Sequence, residues 1–191
     1  MPKLGRPRSE ATRERLLDAA FRVIRARGYD GMTFDAVATE AGAGKTTIYR
    51  LWDSKAAFAV EALFRASEPD LRFPDTGSIR EDFRRQITDL SQLLQGPKGA
   101  VFAAMLGGAR NDPVLAKTLG EQWLEPRRVW GFARMAQAIA TGQCKPGVDV
   151  GAALGILYGP LYTPLLFGQP MPTGRQVDAH LAIALSAIFK D

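Results

Sequence analysis

The stretch MTFDAVATEAGAGKTTIYRLWDSK, Met32–Lys55, decides how the chain is read. Thr33 is a good helix N-cap, and Phe34, Val37, Ala38 and Ala41 then recur at helical spacing, which predicts a short helix over 34–41. Gly42-Ala43-Gly44 permits a tight turn, and a second short helix is expected over 45–51. At 3.6 residues per turn, Lys45, Thr46, Tyr49 and Arg50 share one arc of that helix, while Thr47, Ile48 and Leu51 face the other way. One face is therefore short, polar, cationic and aromatic, and the other is suited to packing. Two short helices around a glycine turn form a helix-turn-helix, and side chains of these types can donate to phosphates and read base edges in a major groove.

The residues around the turn are specific. Thr33, Val37-Ala38, Ala41-Gly42, Thr47-Ile48-Tyr49, Trp52 and Ser54-Lys55, with Leu17, Ala20, Phe21 and Gly28 upstream, resemble the N-terminal signature of the TetR (tetracycline-repressor-like) family. The resemblance covers residues 9–66. Further along, Leu157-Tyr158-Gly159-Pro160-Leu161-Tyr162 is similar to a segment of one subgroup of the family's C-terminal domains. The resemblance implies an all-α fold and a homodimer that binds double-stranded DNA and regulates transcription, commonly as a ligand-responsive repressor. Tyr49 and Lys55 match positions that usually touch phosphates. Thr33, Lys45, Thr46, Thr47, Tyr49, Arg50 and Lys55 are the candidate DNA-contacting residues, Arg50 for guanine and Thr46 for a thymine methyl.

Working outward, Ser9 is expected to cap a helix running to about Arg27. Residues 1–27 hold eight Lys/Arg against three Asp/Glu, whereas the chain after Lys55 holds 14 against 13, so the net +5 is concentrated at the N-terminus. Met1–Arg8 reads as a basic arm, whose Arg6 and Arg8 are candidates for a minor groove. Asp53 or Ser54 starts a fourth helix ending near Ala66, and Glu68–Gly77 reads as a linker. Two domains are expected, 1–66 for DNA binding and 67–191 for effector binding and dimerisation.

In the second domain, helices are expected near 78–95, 98–109, 113–141, 149–168 and 174–190, with S-x-x-E at Ser78, Asp112-Pro113 and T-x-x-Q at Thr173 as start signals. Gly151, Gly155 and Gly159 recur every four residues, and Val177, Leu181, Leu185 and Ile188 form an apolar stripe. The resemblance implies that these two helices pair with their symmetry mates; the alternative is that both stripes face the domain core. Large side chains, among them Phe102, Met105, Trp123, Trp130, Tyr158 and Tyr162, are candidates for a ligand cavity, with a filled core as the alternative. Pro160 and Pro164 are expected to kink their helix. The absence of concentrated charge favours an apolar or aromatic effector over a highly anionic one.

Other functions find little support. Gly44-Lys45-Thr46 resembles the end of a phosphate-binding loop, but the glycine required five residues earlier is Thr39, and a helical stripe precedes it instead of a strand. One cysteine, Cys144, and one histidine, His180, give no metal set, and no catalytic constellation or cofactor site is visible. The basic N-terminus lacks a signal-peptide core, and the longest apolar run, Leu154–Phe167, is shorter than a typical membrane span, so no membrane partner and a cytoplasmic location are expected. The remaining alternative is a DNA-binding regulator controlled by a partner protein without a small ligand.

Overall fold

The computed structural model describes residues 6–67 and 73–190, with side chains from residue 10 onward. Among these residues the regular secondary structure is all helical, with no strand and one isolated bridge between Cys144 and Phe189. It divides into two compact units, the first formed by residues up to Ser67 together with Ala100–Trp123, the second by Glu68–Gly99 together with Leu124–Asp191.

In the first unit α1 is Arg6–Arg27, α2 Phe34–Ala41, α3 Lys45–Leu51 and α4 Lys55–Ser67. Helix α1 starts before Ser9 and takes in the last residues of the expected arm, Arg6 to Arg8. Pro7 is tolerated there because a first-turn N–H has no intrahelical acceptor to lose. The rest of the arm and the first residues of the linker lie outside the described residues. Leu16, Leu17, Ala20 and Ile24 of α1 are buried, and α1 packs against α2 and α4, whose Val37, Phe58 and Leu63 are buried too. Trp52 stacks on Phe58 at 4.1 Å between ring centroids and donates its indole N–H to Glu61 at 2.8 Å.

Helix α6, Pro97–Ala109, and α7, Pro113–Leu119, lead back to this unit, where α7 packs on α4. Asp112 caps α7 by accepting the N–H groups of Val114 and Leu115, both at 3.0 Å, and its other oxygen accepts the Tyr29 hydroxyl at 2.8 Å. Gly108 lies against the Tyr29 ring, where a Cβ would come within 2.6 Å of Cδ1. The single helix expected over 113–141 is interrupted by a π-helical turn, Gly120–Leu124, before α8 resumes at Glu125–Ala140. Pro126 explains the interruption: without an N–H it cannot serve the Gln122 carbonyl, and its ring crowds that position.

The second unit holds α5, Ile79–Gln95, with α8, α9, Val150–Phe167, and α10, Gly174–Ile188. Helix α5 contacts all three, and α9 also packs against α8 and α10. Phe83 at its centre meets Phe73 and Phe189, and the buried Asp82 pairs with Arg134. Thr173 and Gln176 form the full capping box expected of them, whereas Ser78 caps α5 without the reciprocal bond, because Glu81 binds Arg85. Helix α9 runs continuously through Pro160 and Pro164. At 18 residues and a mean hydropathy of 1.5 the whole helix, which begins before the run Leu154–Phe167, is long and apolar enough to cross a membrane, a criterion that core helices of water-soluble proteins also meet.

Candidate functional site

Gly42 ends α2 in the left-handed region, at φ 59°, where its N–H and that of Ala43 close the last turn. Only glycine adopts this conformation without a steric cost, and the sharp reversal delivers α3 across α2. Ile48 is fully buried beneath α3, which fixes the rotation of the helix. Lys45, Thr46, Tyr49 and Arg50 consequently lie exposed, with Tyr49 at 59% of its full accessibility, and Thr47 is half-buried beside them. The Tyr49 ring is braced edge-on by Phe34 at 4.8 Å, so it projects outward without being loose.

Two of the cations in this region already have protein partners. Lys45 donates to Asp35 at the start of α2, 2.7 Å away, and this bond raises its pKa. A phosphate would have to compete with that carboxylate. The Lys55 ammonium lies 4.2 Å over the Tyr29 ring and 3.3 Å from the Asp30 carbonyl oxygen. Burial there pushes the Lys55 pKa down, with Asp30 and Asp112 opposing. Thr33 caps α2 by accepting the Ala36 N–H at 3.1 Å, and its exposed hydroxyl lies beside the helix N-terminus. The side chains of Arg6 and Arg8 lie outside the described residues.

In the second unit a cavity of about 490 Å³ opens between α5, α8 and α9. Its walls include Trp130, Phe132, Tyr158, Tyr162, Gln86 and Arg127. The Tyr158 hydroxyl donates to the Gln86 side-chain oxygen at 2.7 Å, and burial raises the pKa of Tyr158.

Two family descriptions match the chain: "Bacterial regulatory proteins, tetR family" over residues 16–62 and "Tetracyclin repressor-like, C-terminal domain" over residues 73–184. The HTH-type transcriptional regulator YdeS of Bacillus subtilis (strain 168) is 31% identical over 98% of this chain and 93% of its own length. The chain belongs to the TetR family. The DNA-binding transcriptional repressor TetR of Mycobacteroides abscessus is 30% identical, over 93% of this chain and 96% of its own. The crystal structure of the TetR-family regulator SCO0332 superimposes with a TM-score of 0.76 at 30% identity, covering 94% of this chain and 99% of that one. This TetR-family chain is thus a DNA-binding transcription factor and not an enzyme.

The family's two-part plan is present, but several residues are placed differently from the sequence expectation. Trp130, Tyr158 and Tyr162 line the cavity. Phe102, Met105 and Trp123 do not: all three are fully buried in the first unit, where Phe102 and Trp123 lie 4.9 Å apart. Val177, Leu181, Leu185 and Ile188 are also buried within the chain, on the side of α10 that meets α5 and α9. That stripe is satisfied inside one TetR-family protomer and is not available to a partner. The glycine stripe divides: Gly151 and Gly155 line the cavity, and the half-buried Gly159 does not. Arg127, Asp35 and the Tyr29–Asp112 pair were missed, since each depends on a tertiary neighbour that helical spacing does not reveal.

Proposed function

We propose that this TetR-family regulator is a ligand-responsive repressor that works in the cytoplasm as a homodimer on a pseudo-palindromic operator. The cavity carries the reading. A pocket of about 490 Å³ with aromatic walls has the size and character of a small-molecule site. A control mechanism based only on a partner protein would not require such a space. The repressor sign follows the M. abscessus relative, named as a repressor.

DNA contact is assigned to the exposed face of α3. Thr46, Tyr49 and Arg50 address the major groove, while Thr33, Lys45 and Lys55 hold the backbone, with Thr47 at the edge. Arg6 and Arg8 are retained as minor-groove candidates. The homodimer is assigned to the outward faces of α9 and α10. Ile156 and Phe167 on α9, and Ile183 on α10, are 51%, 73% and 73% exposed, with Gly159, Ala179, Ala182 and Ala187 around them. An apolar face of small residues on two adjacent helices is suited to an isologous interface with a second copy.

Effector binding would favour a dimer state whose two reading heads no longer match the operator spacing. Mapping the bound genomic sites and then screening compounds related to the neighbouring genes by thermal shift tests this. A compound that stabilises the protein is expected to release operator DNA, and DNA to weaken its binding by the same factor. Stabilising compounds that leave operator affinity unchanged would contradict the proposal.

A further inference from the structure

The cavity between α5, α8 and α9 carries one polar group that the fold does not use up. Gln86 of α5 lines the cavity and is only 4% exposed. Its side-chain oxygen accepts the Tyr158 hydroxyl at 2.7 Å. Among the described residues no acceptor meets its amide nitrogen, yet that nitrogen is not sealed off. For a side chain this deeply buried, the open space beside the nitrogen is the cavity. A buried glutamine is ordinarily satisfied on both atoms, because an unmet donor is costly. Here Tyr158 holds the oxygen, which turns the N–H donors toward the cavity and polarises them.

The walls narrow the ligand further. No Asp or Glu is among the described residues that line the cavity, so a cation would be buried without a counter-charge. Arg128 is balanced by Glu125 through two hydrogen bonds of 2.8 Å. Arg127 is engaged within the chain, and its Nε and Nη2 are closed to any approach. A carboxylate on Gln86 would exchange its hydration for one neutral amide, a poor return for a charge. The remaining surface is mainly apolar and aromatic, against which flat rings stack. We infer that the effector is an uncharged aromatic carbonyl compound, its carbonyl oxygen accepting from the Gln86 side-chain amide and its rings against Trp130, Phe132, Tyr158 and Tyr162. This assignment rests on the ligand-responsive reading above and deepens it.

The test is titration of the full-length protein, followed by tryptophan fluorescence, with aromatic ketones and lactones of one to three rings. Each is paired with its methylene analogue, which lacks the carbonyl oxygen, and with a carboxylic acid on the same rings. At least one carbonyl compound is expected to bind roughly 10-fold tighter than its methylene analogue, the worth of one neutral hydrogen bond. The acid should bind more weakly than the carbonyl compound. Tyr158→Phe should keep the preference, since the amide donor remains. Adding Gln86→Leu should abolish it while leaving the affinity of the methylene analogue unchanged. The double variant removes both members of the pair and orphans neither, so it should fold. Equal binding of carbonyl and methylene compounds in the wild type would overturn the assignment and leave the ligand-responsive reading standing. So would tighter binding of the acid, or a preference that survives in the double variant. Binding of none of the compounds would overturn both. Should the double variant fail to fold, the wild-type comparison decides alone.

Discussion

The pairing of Tyr29 with Asp112, 83 residues apart, can be measured as a coupling energy. Asp112→Ala removes two interactions at once. Losing the cap of α7 costs about 1 kcal/mol, and leaving the Tyr29 hydroxyl without its acceptor costs a further ~1–3 kcal/mol because Tyr29 is only 3% exposed. The single substitution should therefore destabilise by about 2–4 kcal/mol. Tyr29→Phe removes only the hydrogen bond and should cost about 1–2 kcal/mol, toward the low end for a bond to a charged group, since Asp112 is part-exposed. With Tyr29→Phe already in place, Asp112→Ala should cost only the cap. The cycle predicts a coupling of about 1–3 kcal/mol. Urea unfolding followed by circular dichroism, at one fixed protein concentration because association adds stability, gives all four values. Costs that add to within about 0.5 kcal/mol would refute the contact, and with it the argument that α7 is fastened to the DNA-binding unit through this pair.

Lys55→Ala should weaken binding to all DNA sequences alike and reduce the salt dependence by about one ion, in filter-binding titrations at several salt concentrations. It should also cost ~0.5–1 kcal/mol of stability through the lost contact with the Tyr29 ring. Ile183→Asp should leave the fold intact, since Ile183 is exposed in one protomer, but shift sedimentation from dimer to monomer. Stability should fall on acidification. The Asp112 carboxyl is held down by the Leu115 N–H and then by the Tyr29 hydroxyl; for Asp82, burial is outweighed by Thr76 and Arg134. A carboxyl with a depressed folded-state pKa contributes stability in full above its unfolded value of about 4 and loses it as pH drops through the folded value. Urea midpoints should therefore be steady from neutrality to about pH 5 and fall below pH 4. A midpoint that rose on acidification would contradict these pairings.

The head was legible because its logic is local. Thr33, Gly42 and the α3 stripe act over three or four residues, and both the turn and the buried Ile48 follow from spacing. Spacing also separated the exposed Tyr49 and Arg50 from the packed side of α3. The second half was less legible because an apolar stripe does not name its partner. The stripe of α10 faces α5 and α9 inside the chain, and the outward face that a second copy would need is made of alanines, Ser186 and Ile183. The aromatics were divided by chain reversal at α6 and α7, which places Phe102, Met105 and Trp123 in one unit and Trp130, Tyr158 and Tyr162 in the other.

Two copies of the α3 face are expected to read DNA symmetrically. Selection of duplexes from a random pool, with the wild type and with Arg50→Ala in parallel, tests it most directly, followed by footprinting of the selected site. The selected site should be a pseudo-palindrome with two equivalent protected half-sites. Arg50→Ala should relax preference at one base position in each half, at a cost of about 1–3 kcal/mol for a bidentate contact. A single unrepeated half-site protected at saturation, or a base preference unchanged by Arg50→Ala, would contradict it.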